Sequence, residues 1–273
     1  MLQFKVDHGF DNMANTYCKE LWESITINKN GDVFVCCHCK PQKIGNIHEV
    51  KLDQLVNCDK LMPLRQKSLD GTLGCYRECN LLDSEKTPPC DLALKIDYSD
   101  LKVLHISFGE KCNIRCIMCD HPSGHNRNPI ELDHTTLIEN IDVSPFKEII
   151  IQGGEPLCIQ SCLDYMNYLE TMNKKYILLT NGLLINRSMS EKLAKNASII
   201  SISINGATKD VHENVNRGSD FEKVMHNISM LVESREKFNT NMSINGRMTL
   251  VTQNLHEIPL FIKKFEEMGF DTI

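Results

Sequence analysis

Three cysteines packed into one short stretch constrain this chain more than any other feature. Cys112, Cys116 and Cys119 stand at C-x3-C-x2-C in Gly109-Glu110-Lys111-Cys112-Asn113-Ile114-Arg115-Cys116-Ile117-Met118-Cys119. The run ahead of them, Leu101 to Phe108, is rich in apolar residues with mixed alternation, and it reads as a strand. The cysteines therefore belong on the loop leaving the carboxyl end of a strand, where α/β sheets place their chemistry. A short loop can set three thiolates round one corner of a [4Fe–4S] cubane, which usually takes four. Three would leave one iron open, as a reactive centre requires. Closely spaced cysteines also hold structural zinc. No fourth cysteine follows closely and His121 is the nearby substitute, so the cluster is the preferred reading.

A second motif lies downstream. Glu148 to Gln152 reads as a buried strand, and Gly153-Gly154-Glu155-Pro156 follows it. Glycines let backbone approach a partner closely, and strand-end carbonyls can accept from an ammonium group. Together the cysteine triplet and this strand-end turn resemble the radical S-adenosylmethionine (radical SAM) superfamily; Met118 stands where members usually carry an aromatic residue. The resemblance implies a partial (β/α)6 barrel. It implies a [4Fe–4S] cluster on Cys112, Cys116 and Cys119 whose open iron chelates S-adenosylmethionine. One electron then cleaves the sulfonium, and the released 5′-deoxyadenosyl radical abstracts hydrogen from the substrate. Gly153, Gly154 and Glu155 would help position the cofactor.

The rest of residues 96–273 alternates strands and helices, which argues for a parallel sheet. Helices are expected over Leu132 to Ile141, capped near Asp133, over Ser190 to Lys195, over Phe221 to Ser234 and over Leu255 to Met268. Cys158 and Cys162 fall on a further helical stripe, where thiols pack as core. Strands are expected at Tyr176 to Thr180, Ile199 to Asn205 and Met242 to Val251. In the Ile199 to Asn205 strand, Ile200, Ile202 and Ile204 face one way and Ser201, Ser203 and Asn205 the other. By the resemblance, Ser203 and Asn205 would hydrogen-bond the cofactor. Arg217 would reach its carboxylate or form a surface ion pair, and Thr180-Asn181-Gly182 would border it or be a plain strand-end turn. On the Met242 strand, Arg247 is either an inward charge needing a carboxylate or outward at the barrel edge. Gly269 to Ile273 begins a sixth strand, truncated where the sequence stops, so a fragment of a longer protein is expected.

Residues 1–95 are dense in cysteine: Cys18, Cys36, Cys37, Cys39, Cys58, Cys75, Cys79 and Cys90. Ser24 to Asn28 and Val33 to Val35 flank an Asn-Gly turn, which signals a β-hairpin with Cys18 and Cys36 near its ends. Pro88-Pro89 marks a boundary near residue 90, and His121 to Asn128 is polar, a lid or a solvated loop. The order Cys18, Gly31, Cys36, then Lys43-Ile-Gly-Asn-Ile47, Leu52 to Asn57, Leu64-Arg65, Gly71, Cys75 and Cys79 resembles the SPASM and twitch auxiliary-cluster domains. That resemblance implies an auxiliary [4Fe–4S] cluster on Cys18, Cys36, Cys75 and Cys79, with Cys37, Cys39, Cys58 and Cys90 as ligands of a second cluster or substitutes in the first. A zinc-stapled unit is the alternative, since either metal would add folding free energy to a small loop-rich region. Cys58 reads as a small buried hydrophobe.

Composition narrows the function. The net charge of −6 argues against a nucleic-acid footprint. No apolar run is long enough for a membrane span, no signal peptide is evident, and a cytoplasmic protein is expected. Thirteen cysteines in such a chain point to metal rather than disulfides. The expectation is a radical SAM enzyme acting on a peptide, fed by an electron donor such as flavodoxin or ferredoxin. Small-molecule alcohol oxidation, a non-catalytic iron–sulfur redox sensor and a zinc-binding interaction module are the other readings.

Overall fold

The Asn-Gly turn does what its chemistry predicts. Gly31 takes a left-handed φ of +76°, and the Asn28 carboxamide oxygen accepts from the N–H groups of Asn30 and Asp32 at 2.9 and 3.1 Å. In the computed structural model, which describes residues 17–36, 42–73, 92–119 and 129–273, this turn joins β1 (Ser24–Ile27) to β2 (Asp32–Phe34), with Thr26 opposite Phe34. The short helix α1 (Glu20–Glu23) leads in, β3 (Gly45–Asn46) pairs on the far side of β2, and α2 (Met62–Leu69) follows. Cys37, Cys39, Cys75, Cys79, Cys90, the boundary near residue 90 and the segment His121 to Asn128 lie outside the described residues.

The expected alternation then unfolds. β4 (Val103–Ser107) is followed by the two-residue strand β5 (Arg115–Cys116) and α3 (His134–Asn140), whose cap Asp133 accepts from the Thr135 N–H. Next come β6 (Glu148–Gln152), α4 (Gln160–Thr171), β7 (Tyr176–Thr180) and α5 (Arg187–Asn196). β8 (Ala197–Ser203), α6 (Lys209–Val215), β9 (Asn216–Arg217), α7 (Phe221–Lys237), β10 (Ser243–Arg247) and α8 (Ile258–Glu267) complete the chain. The sheet runs β10-β8-β7-β6-β4-β1-β2-β3. β4, β6, β7, β8 and β10 are all parallel, as crossover helices require. The sixth strand is a single parallel bridge, Asn245 to Thr272.

The hairpin is not a separate sheet. β1 pairs in parallel with β4 from Ser24↔Val103 to Ile27↔Ile106, so the cysteine-rich region continues the barrel sheet. One apolar core runs through both, from Trp22, Ile25 and Val33 to Leu104, Ile149 and Phe265. Arg65 ties the cysteine-rich region together: fully buried on α2, it donates to the carbonyls of Leu21 and Leu94, each at 2.8 Å, and to Asn57 at 3.0 Å.

The two sheet faces differ in chemistry. Leu104, Ile106, Ile149, Ile151, Leu178, Ile200, Ile202 and Ile244 are sealed against apolar residues of α3, α4, α5, α7 and α8. On the other face, near the carboxyl ends, Ser107 stands beside Gln152, and Leu179, Ser201 and Asn245 share one register row. Some expectations needed correction. Cys158 sits in the 3-10 turn Pro156–Cys158 ahead of α4 rather than on it, because Pro156 starts that turn. The Met242 strand ends at Arg247, which is exposed, so no buried charge arises there.

Candidate active site at the carboxyl end of the sheet

Backbone builds this site before side chains do. The Gly154 N–H donates to the Gly109 carbonyl and the Glu155 N–H to the Lys111 carbonyl, both at 2.8 Å. A Cβ at Gly154 would come within 2.5 Å of the Glu110 carbonyl oxygen, and one at Gly153 within 3.0 Å of the Gly109 carbonyl oxygen. The two glycines thus let the β6 end press directly on the backbone leading into the cysteines. That contact is the close approach their sequence signalled, with the cysteine loop as the partner.

Glu155 is 1 % exposed and faces into the protein. It accepts from the Thr180 hydroxyl at 2.7 Å, the Asn181 N–H at 2.7 Å and the Leu157 N–H at 3.2 Å. Burial pushes its carboxyl pKa up, and these donors pull it back. Asn181 in turn donates through Nδ2 to the Asn113 carboxamide oxygen at 2.7 Å, inside the cysteine loop. The Thr180-Asn181-Gly182 turn is therefore wired to the cysteines through Glu155 and Asn113. Neither link was visible in sequence, because Asn181 and Asn113 stand 68 residues apart.

A third strut comes from beyond β8. β5 and β9 form a small antiparallel ladder, Arg115↔Arg217 and Cys116↔Asn216, and the Ile117 N–H donates to the Val215 carbonyl at 2.9 Å. Arg217 is exposed. Asn205 is buried and bonded at both ends of its carboxamide: Nδ2 donates to Asn216 at 2.7 Å and Oδ1 accepts from the Thr249 N–H at 2.7 Å. Its side chain props the β9 segment from behind, while Ser203 ends β8 half-buried.

Cys112 and Cys116 are half-buried and Cys119 is exposed. Burial raises the Cys112 thiol, the N–H groups of Ile114 and Asn113 lower it, and Glu155 and Cys119 raise it again. Burial, with Cys112 and Cys119 beside it, pushes Cys116 up to about 12. Three thiols this close resist ionising together unless a cation neutralises them, which is the condition under which thiolates bind metal. Among the described residues no three His, Cys, Asp or Glu side chains converge on one ion; a cubane takes each thiolate on a different iron and needs no such point. Cys158, half-buried beside Cys112, is pushed up to about 11 mainly by burial, and Cys162 is sealed in the core.

The other candidate ligands are elsewhere. Cys18 is buried, with its N–H on the Ser68 hydroxyl at 2.9 Å, and Cys36 lies two residues past β2. Cys36 leaves β2 toward the end of the sheet where β1 and β4 begin, the end opposite the cysteine loop. Cys58 packs partly against the core. Among the described residues no helix is long and apolar enough to cross a membrane.

Comparison with known proteins agrees with this geometry. The radical SAM superfamily model matches residues 106–265, and an iron–sulfur cluster-binding domain, SPASM, matches residues 18–80. A cysteine-type anaerobic sulfatase-maturating enzyme of Clostridium novyi (strain NT) is 27% identical over 173 residues, 56% of this chain and 45% of the relative. An AdoMet-dependent heme synthase of Methanosarcina barkeri is 30% identical over 164 residues, 58% of this chain and 45% of the relative. The chain thus spans about half the length of these relatives. In fold, Streptococcus suis SuiB bound to precursor peptide SuiA superposes with a TM-score of 0.50 at 15% identity, covering 94% of this chain and 62% of that one.

Proposed function

Because the chain belongs to the radical SAM superfamily, we propose that it is a peptide-modifying radical enzyme whose catalytic [4Fe–4S] cluster is held by Cys112, Cys116 and Cys119. The observation that carries the reading is the seating of that loop on Gly153 and Gly154 at the carboxyl end of a parallel sheet. When bound, the cluster supplies the electron that cleaves S-adenosylmethionine to the hydrogen-abstracting 5′-deoxyadenosyl radical. The protein's own groups hold and orient. Glu155 and Asn181 hold the loop, Ser203 and Arg217 would help hold the cofactor, and Asn205 supports the segment that carries Arg217.

An auxiliary cluster would draw on Cys18, Cys36, Cys75 and Cys79. We assign it to accepting or relaying an electron or to anchoring substrate. A flavodoxin or ferredoxin would deliver the first electron. A peptide or protein substrate is supported by the sulfatase-maturating relative. A small molecule is the second reading, supported by the heme synthase relative.

The test is anaerobic reconstitution of the full-length protein, then dithionite with S-adenosylmethionine, assayed for 5′-deoxyadenosine. Wild type is expected to form it and a Cys112→Ala/Cys116→Ala/Cys119→Ala variant to form none. Silence from both at full iron load would overturn the enzyme reading in favour of a redox sensor.

A further inference from the structure

The hairpin turn of the cysteine-rich region ends beside the catalytic loop. Parallel pairing of β1 with β4 carries Asn28-Lys29-Asn30-Gly31 to the carboxyl end of the sheet, where the chain leaves β4 for the cysteines. The turn is held firmly. Besides the Asn28 contacts, Asn46 Nδ2 donates to the Asn30 carbonyl and to Asp32 Oδ1, each at 2.9 Å. From this turn the Lys29 ammonium pairs with the Glu110 carboxylate, across 81 residues of sequence. The Glu110 side chain is 8% exposed and that of Lys29 25%. No other cation pairs with Glu110 among the described residues.

A carboxylate this buried is costly unless compensated. Glu110 lies two residues before Cys112, on a loop whose three thiols must become anionic to take a cluster. Its carbonyl already abuts Gly154 on one side. Resting on the reading above, we propose that Lys29 is a positioning residue for the catalytic loop: it neutralises Glu110 and clamps residues 109–119 from the side opposite β6. The cysteine-rich region would then shape the catalytic centre through a side chain as well as through its own cluster.

The test uses the full-length protein with Lys29→Met, Lys29→Arg and the double variant Lys29→Met/Glu110→Gln. In metal-free protein, amide exchange of residues 109–119 is expected to rise roughly tenfold in Lys29→Met, the signature of a loosened local unit. It should return toward wild type in the double variant, which has no buried charge to compensate, and stay near wild type in Lys29→Arg. In reconstituted protein, the change that S-adenosylmethionine induces in the electron paramagnetic resonance spectrum of the reduced cluster should shrink in Lys29→Met and recover in the double variant. Wild-type exchange and an unchanged spectral response in Lys29→Met would overturn the proposal. If Lys29→Met does not fold, the double variant decides. Its recovery supports the clamp, and its failure would show that Lys29 serves only the hairpin's own fold. Should wild type cleave no cofactor, the enzyme reading fails separately, and exchange in the metal-free chain still decides the role of Lys29.

Discussion

A methyl group on Gly154 would come within 2.5 Å of the Glu110 carbonyl oxygen, in backbone that leads straight to Cys112. Neither side can yield without breaking the 2.8 Å hydrogen bonds that join them. Gly154→Ala is therefore expected to destabilise the protein by about 1–3 kcal/mol, the usual range for overpacking, and to lower iron retained after reconstitution; thermal unfolding and iron assay check both. His212 makes a pH prediction. It is fully buried on α6, its Nε2 3.0 Å from the Ser219 hydroxyl, and its Nδ1 has no partner among the described residues. Burial lowers its pKa from 6.5 to about 4. Its contribution to stability is thus complete above pH 6.5. It is lost as pH falls from 6.5 toward 4, where the unfolded chain takes up a proton that the folded ring refuses. At ~1.4 kcal/mol per pKa unit the loss approaches about 3 kcal/mol. Urea unfolding at pH 7 and pH 4.5 should show it, with a smaller pH difference in His212→Gln; equal differences would remove His212 from the account.

Among the elements, β1 is the one that joins two regions. It lies between β2 and β4, with Thr26 opposite both Phe34 and His105. Proline there removes a ladder hydrogen bond and a ring cannot fit a central strand. Thr26→Pro is expected to cost about 3 kcal/mol or more and to loosen the cysteine loop along with the hairpin, seen as exchange over both segments. Thr26→Val, which replaces a buried hydroxyl that has no partner among the described residues, should be neutral or slightly stabilising in the same assay. Several elements were legible in advance because their signals are local. β6 and β7 match their expected bounds, and Asp133 caps its helix as a short polar residue does. Cys158 was misplaced because helical periodicity continues through a turn that only Pro156 interrupts.

For the molecule as a whole, the sequence by itself determined the class of fold, the close-set cysteine triplet and the family. Those rest on short-range patterns: the alternation of apolar residues, the C-x3-C-x2-C spacing and a strand ending in Gly153-Gly154. A thiol spacing is a property of one loop and needs no partner from elsewhere to be read. Only the tertiary structure decided how the pieces meet. That β1 extends the barrel sheet, that Asn205 is spent on Asn216 and Thr249, that Asn181 holds Asn113, and that Lys29 faces Glu110 are pairings across 11 to 81 residues. Each depends on sheet register, which one residue of slip would reverse. Burial had the same origin. Glu155 and Arg65 are ionisable side chains that composition alone would leave in water, and it is the packing around them that fixed their partners.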